Sequence, residues 1–223
     1  VGDRELESGS LNEDFVAGYA GARYTSEFWS ANARVEPRNA DSGARVSLLM
    51  GWYRQPNRGP GLSAGLTIFQ AENLLGNEMN QANLRFGWAY RVADNKWSFL
   101  DRIDLVFDRA ATAADEQMSW RLINNFVANR RISAAAQLSL QYAFKYVRSE
   151  FDGDAYTGYT DLIGADYRYG FSNRWDAGIN TSIYHSYQSK VLDYGLGLDV
   201  GYNLGRNLWL SLGYNFLGFD DQD

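Results

Sequence analysis

A strict two-residue alternation near the end of the chain constrains its fold more than any other feature. Between Leu192 and Leu204 every even position carries an apolar or aromatic side chain, whereas the odd positions carry only Gly, Asp or Asn. The segment 207–219 continues the alternation, with Leu, Tyr and Phe separated mainly by Asn, Ser and Gly. Since successive side chains of a β-strand point to opposite faces, each segment predicts a strand with one apolar and one polar face.

Segments of this kind recur along the chain at the spacing of one strand and one turn. We predict about twelve strands, or about 14 if strands are missing from the chain. Their approximate ranges are 14–24, 28–37, 43–54, 60–71, 79–92, 95–109, 116–130, 134–149, 156–170, 173–188, 191–204 and 207–218. Most exceed an ordinary strand and suit the roughly 9–11 residues with which a tilted strand crosses a bilayer.

Two all-β architectures produce such alternation. A soluble sandwich or lipocalin-like barrel buries the apolar faces, whereas a transmembrane β-barrel turns them to lipid and keeps the polar faces in its lumen. Long strands, aromatic residues at the ends of the apolar rows, and polar faces rich in Gly, Ser, Asn and Gln favour the second architecture. We therefore expect an all-β fold, a single antiparallel transmembrane β-barrel over residues 1–223, with the soluble fold as the alternative.

The connections are expected to differ in length, with short turns at one end of the barrel and longer loops at the other. Short turns are predicted at 93–95, 132–133, 171–172 and 205–206. Longer polar loops are predicted at 71–80, 110–117, 149–156 and 187–190.

Composition excludes several other classes of protein. No run reaches the roughly 18–20 apolar residues of a transmembrane helix, and the mean hydropathy is −0.41. The chain has no Cys, so neither a disulfide nor a thiolate metal site can form. A net charge of −6 and a pI near 4.9 argue against a nucleic-acid partner, which requires clustered basic residues.

Charged residues on the polar rows are the candidate lumen-facing residues of the barrel. They are Arg45, Arg85, Arg102, Asp104, Arg121, Lys145, Asp166, Arg168, Asp193 and Asp199. We expect them to pair with one another for structural reasons, or to set ion selectivity if the lumen is open. Asp101 and Asn124 depart from the pattern because they fall in apolar rows, where they hint at an interface or a partner surface.

Four segments carry a resemblance to a known family. The segments RLINNFVANRRISAAAQLSLQYAFKYV, GYTDLIGADYRYGFSNRWDAGI, SIYHSYQSKVLDYGLGLDVGYN and NLWLSLGYNFLGFDDQD are similar to the C-terminal β-barrel region of very large bacterial surface proteins, which carry immunoglobulin-like or similar repeats upstream. The resemblance covers about residues 80–223. It implies insertion into the outer membrane by the barrel-insertion machinery, and surface-exposed domains N-terminal to Val1.

The family usually has one more strand after the acidic stretch, ending on an aromatic residue. This chain stops at Asp220, Asp221, Gln222 and Asp223. We therefore expect a final strand to be absent from the sequence.

Residues able to carry chemistry are scarce. His185 is the single histidine, and the adjacent Ser186 should point to the opposite face of its strand, so the two cannot form a catalytic pair. Asp152 and Asp154 resemble part of a calcium loop but lack its remaining ligands. We expect no catalytic residue, no metal and no cofactor.

Three functions remain. The first is an outer-membrane anchor for a larger surface protein, with the lipid bilayer as its principal partner. The second is a small porin-like channel for ions or small solutes. The third is an outer-membrane hydrolase that uses His185.

Overall fold

A computed structural model describes residues 2–4, 13–56, 59–93, 96–205 and 208–221. All regular elements in these ranges are strands: β1 (Gly2–Arg4), β2 (Glu13–Ala17), β3 (Ala20–Thr25), β4 (Trp29–Ala40), β5 (Gly43–Arg54), β6 (Gly61–Asn73), β7 (Glu78–Arg91), β8 (Trp97–Ala111), β9 (Glu116–Arg131), β10 (Ala136–Phe151), β11 (Asp154–Gly170), β12 (Trp175–Ser186), β13 (Val191–Gly205) and β14 (Leu208–Asp221). The described ranges hold no helical segment with the length and hydropathy of a membrane-spanning helix.

The strands form one antiparallel sheet that follows the order of the chain. Its order is β1-β2-β4-β5-β6-β7-β8-β9-β10-β11-β12-β13-β14, and β3 pairs with β4 beside β2. The predicted all-β antiparallel fold is therefore confirmed. Within the described ranges no ladder joins β1 to β14, so the sheet is open at these two edges. Closure into the predicted barrel is therefore not observed.

The chain groups into two compact units. The first unit comprises Val1–Gly87, Ile103–Leu122 and Val147–Thr157, and the second comprises Trp88–Arg102, Ile123–Tyr146 and Gly158–Asp223.

Each of the twelve predicted segments contains strand, but the first is divided into β2 and β3. The division falls where the backbone N–H of Gly18 donates to Pro37 O at 3.2 Å. Proline has no N–H with which to return a bond, so the ladder between β4 and its neighbour is interrupted here. This division, together with β1, which lies outside the predicted segments, raises the count of described strands to 14.

The predicted contrast between short turns and long loops is wrong. Only Asp152 and Gly153 separate β10 from β11, and their φ angles of 47° and 86° are those of a two-residue hairpin turn. Four residues separate β6 from β7, β8 from β9, and β12 from β13. Polar residues that resemble loop in the sequence belong to strands, because these strands continue past the apolar part of their rows. Parts of two predicted short turns, at 94–95 and 206, lie outside the described residues.

The two faces of the sheet differ in exposure, most clearly in β13. Leu196, Leu198 and Val200 on its apolar face are 41%, 47% and 44% exposed. Gly197 and Gly201, on its polar face, are buried. No large side chain is fully buried anywhere in the described ranges. A soluble sheet buries its apolar face, so this distribution is the reverse of a soluble core.

Glycines on the polar face of the second unit leave room for neighbouring polar side chains. A Cβ on Gly201 would lie 2.6 Å from the indole ring of Trp209. A Cβ on Gly197 would collide with the amide oxygens of both Asn180 and Asn215. The Gly positions in the alternating sequence are therefore sites where a side chain from an adjacent strand crosses the backbone.

Two glycines of β13 provide a matched test of this packing. We expect Gly201→Ala to lower the free energy of unfolding by about 1–3 kcal/mol, because the new methyl group overlaps the Trp209 ring. Gly205→Ala has nothing within 4 Å of its Cβ, so it should be neutral or stabilise by roughly 0.5 kcal/mol. Denaturant titration followed by circular dichroism measures both. Equal effects of the two substitutions would contradict the packing role of Gly201.

Candidate functional site

The polar face of the second unit centres on Arg168, which binds two carboxylates. Its Nη2 donates to Asp199 Oδ2 at 2.6 Å, and its Nη1 donates to Asp176 Oδ1. The register places Gly178 of β12 opposite Arg168 of β11 on one side and opposite Asp199 of β13 on the other. The ion pair thus crosses over β12 at a residue with no side chain, and a Cβ there would lie 3.1 Å from Arg168 Nη2.

Trp209 of β14 completes this network. Its indole Nε1 donates to Asp176 Oδ2 at 3.1 Å. The Arg168 guanidinium carbon lies 5.6 Å from the ring centroid, within the range of a cation–π contact. Arg168, Asp176, Asp199 and Trp209, here called the Arg168 network, therefore connect four strands. One cation faces two anions, so the network carries a net negative charge.

The first unit has its own ion pairs. Arg85 Nε donates to Asp104 Oδ1 at 2.7 Å, and the Asp104 side chain is only 5% exposed. Arg121 of β9 pairs with Asp108, which lies on the same face of β8 as Asp104. Paired carboxylates of this kind are stabilised by the adjacent guanidinium, and loss of the cation would leave a buried charge.

Arg109 of β8 joins two further strands in the first unit. It donates to Glu116 Oε1 of β9 at 2.6 Å and to Glu78 Oε2 of β7 at 3.1 Å. All three side chains are at least one-third exposed. The cluster lies where the strands end, so it ties neighbouring strands together and adds little stability in water.

The predicted lumen-facing residues are not gathered into one site. Arg85, Asp104, Arg121, Arg168 and Asp199 lie in the ion pairs described above. Arg45 is opposite Arg38 in the register, and Asp166 is opposite Asn180. Arg102 and Lys145 are exposed. Asp193 has a buried Oδ1 without a hydrogen bond among the described residues. Asp108, Asp176 and Arg109 were missed, because an alternating pattern identifies a face without identifying the partner on the next strand.

The two polar residues expected to disturb the apolar rows are bonded to each other. Asn124 Nδ2 donates to Asp101 Oδ1 at 2.7 Å and lies 3.3 Å from the backbone oxygen of Arg102. The pair therefore satisfies part of its own hydrogen-bonding capacity on the apolar face. A partner surface at these two residues stays a prediction.

His185 lies on the apolar face with an acidic neighbour. Its Nδ1 is 3.8 Å from Asp161 Oδ1, which is directly opposite in the register. Ser186 instead bonds Ser189, at 2.6 Å between the two hydroxyl oxygens. No Ser or Thr hydroxyl hydrogen-bonds His185 within the described ranges, so a nucleophile–base pair is not formed there.

Acidic side chains do not assemble a metal centre in the part of the chain that the structure describes. No group of three or more His, Asp or Glu side chains there could hold a metal ion. Asp152, one half of the predicted fragment of a calcium loop, is in the two-residue turn between β10 and β11.

The Arg168 network can be tested by removing its cation. Removing one partner of a fully buried pair costs about 3–5 kcal/mol. The Arg168 side chain is 37% exposed, so we expect Arg168→Gln to lower the free energy of unfolding by about 1–3 kcal/mol.

Arg148→Gln is the matched control. Arg148 is 56% exposed and, among the described residues, pairs only with Glu150, two residues along its own strand, so its loss should cost below about 1 kcal/mol. Denaturant unfolding of both variants measures the difference, and equal costs would show that the network has no structural role.

No family model matches the chain, and no curated protein matches it.

Proposed function

We propose that this chain is a closed β-barrel of the bacterial outer membrane that anchors a larger surface-exposed polypeptide. The observation that carries the proposal is the reversal of the two faces: the apolar rows are exposed, while glycines of the polar rows, together with carboxylates such as that of Asp104, are covered. In β12, for example, Ile179 and Ile183 are 43% and 50% exposed, whereas Gly178 between its polar neighbours is buried.

Lipid is the solvent that makes such a surface stable. Monomeric soluble proteins rarely expose contiguous apolar patches larger than a few hundred Å². Exposed large apolar side chains form rows on the adjacent strands β12, β13 and β14, so they are not isolated surface residues. A bilayer removes them from water and leaves the hydrogen-bonded backbone within the sheet, as a membrane-spanning structure requires.

Strand length agrees with this location. Strands β4 to β14 contain 12 to 17 residues, and a tilted strand needs roughly 9–11 residues to cross the hydrocarbon layer. The remaining residues extend each strand into the headgroup region or beyond it.

Closure of the barrel is part of the proposal. An unpaired edge in hydrocarbon leaves backbone N–H and C=O groups without partners, at a cost of several kcal/mol for each group. Pairing of β14 with the N-terminal edge of the sheet would remove both edges. The apolar side chains of β14, among them Leu208, Leu210 and Leu212, would then continue the lipid-facing surface.

An anchor fits the polar face better than a channel does. The charges of the Arg85–Asp104 and Arg121–Asp108 pairs are neutralised by their partners, and the Arg168 network keeps one net negative charge. Paired charges create a weaker field for a permeating ion than unpaired charges would. The resemblance to barrel regions of large surface proteins supports the same role. The proposal needs no catalytic residue.

The first test is folding with and without an amphiphile. We expect a β-type circular dichroism spectrum and a mobility shift between boiled and unboiled gel samples only when detergent or lipid is present. A monodisperse β protein in plain buffer would instead mean a soluble fold. Planar-bilayer recordings on the folded sample should be silent. Discrete conductance steps would instead favour the channel function over the anchor function.

A second test compares adjacent residues on the two faces of β12. The chain lacks Cys, so Thr181→Cys and Ser182→Cys each carry a single fluorescent label, and both changes nearly conserve side-chain volume. We expect nitroxides on lipid acyl chains to quench the label at position 181 and to spare the label at position 182, because neighbouring strand residues point to opposite faces. Equal quenching of the two labels would contradict a lipid-facing apolar row.

A further inference from the structure

A cavity of about 390 Å³ opens on the apolar face of the second unit, where the β12–β13 hairpin ends. Its lining residues are Asp161, Ile163, Ile183, His185, Lys190 and Leu192. Three of these side chains are aliphatic and three carry or can carry charge. Polar groups at the end of an apolar row place the cavity where hydrocarbon gives way to headgroups.

An aromatic cluster beside the cavity indicates the same depth. The His185 ring centroid is 3.9 Å from that of Tyr187, and Tyr187 is 5.1 Å from Tyr159. Tyr159 and Tyr142 bring their hydroxyl oxygens to 3.2 Å. Tyr side chains concentrate at membrane–water interfaces, because each has an apolar ring and a polar tip.

The charged groups that line the cavity do not hydrogen-bond one another. The 3.8 Å between His185 Nδ1 and Asp161 Oδ1 exceeds hydrogen-bond length. No described residue donates a hydrogen bond to the Asp161 carboxylate. Lys190 is exposed in the turn after β12, with a φ of 52°. The cavity therefore presents the Asp161 carboxylate and the Lys190 ammonium as an anion and a cation that are not paired with each other. Their two charges sum to zero.

We infer that this cavity binds the headgroup of a phosphatidylethanolamine lipid, an inference that rests on the proposed membrane location. The Asp161 carboxylate accepts hydrogen bonds from the primary ammonium of the lipid. Lys190 pairs with its phosphate, and His185 supplies a further polar contact between the two. One acyl chain continues along Ile163 and Ile183, which belong to the apolar rows of β11 and β12.

The arrangement of charge selects among common phospholipids. Phosphatidylglycerol carries a net negative charge and has no ammonium for Asp161, which would repel it. Phosphatidylcholine has a quaternary ammonium that cannot donate a hydrogen bond, so the carboxylate would lose its charge-assisted bonds. Phosphatidylethanolamine satisfies both charged side chains at once.

Native mass spectrometry of the folded chain tests the inference. The chain is offered equal amounts of phosphatidylethanolamine, phosphatidylcholine and phosphatidylglycerol with identical acyl chains. We expect one bound phosphatidylethanolamine, retained about tenfold over the other two lipids, which corresponds to ~1.4 kcal/mol. Asp161→Asn should abolish the preference over phosphatidylglycerol, and Lys190→Gln should lower retention of phosphatidylethanolamine itself.

Asp166→Asn is the matched control, because Asp166 lies on the same strand and on its polar face. It should leave the lipid preference unchanged. Equal retention of the three lipids by the unmodified chain, or equal effects of Asp161→Asn and Asp166→Asn, would overturn the inference. Gel mobility of the same samples distinguishes failure of the lipid site from failure of the membrane location. A chain that folds with amphiphile but shows no lipid preference refutes the lipid site alone. A chain that folds without amphiphile refutes the membrane location and the lipid site together.

Discussion

The Arg168–Asp199 ion pair across Gly178 is the interaction on which the order of the second unit depends. Neighbouring strands lie about 4.8 Å apart, so the pair spans roughly 9–10 Å of sheet. Only a residue without a side chain can lie beneath it, and only this register of β11, β12 and β13 brings the three residues into line. A one-residue slip of β11 or β13 would turn the charge of that strand to the apolar face, away from its partner. The pair therefore selects the register as well as joining the strands.

The same constraint explains why polar side chains, and not aliphatic ones, interdigitate in this protein. Trp209 over Gly201, and Asn180 with Asn215 over Gly197, repeat the arrangement of a large polar side chain above a glycine. Apolar side chains lie on the opposite face, where aromatic rings of neighbouring strands contact each other, as Trp175 and Tyr202 do with ring centroids 4.4 Å apart. The packing of large polar side chains over glycine is thus a feature of the polar face.

Much of this fold could be predicted from the sequence, because the period of two is strong. The alternation from Leu192 to Leu204 predicts a strand and its two faces, and β13 (Val191–Gly205) matches it. What periodicity lacks is register: Asp176 follows the expected pattern of its strand, but nothing in the sequence indicates that Arg168 reaches it. Loop lengths were missed for a related reason, since polar residues such as Ser149 look like loop once a strand has passed its apolar stretch. The pairing of Asp101 with Asn124 likewise depends on a contact between strands, which only the folded chain supplies.

The gap opposite Pro37 has a consequence for how the sheet comes apart. The strand beside β4 is held there by two short ladders, Phe15–Ala17 and Ala20–Thr25, instead of one continuous ladder. Short ladders open locally at a lower free energy than long ones, so amide protons along this edge should exchange with solvent sooner than those between β12 and β13. Proline at this position thus leaves the pairing of β4 with β2 and β3 easier to open than the continuous ladder between β12 and β13.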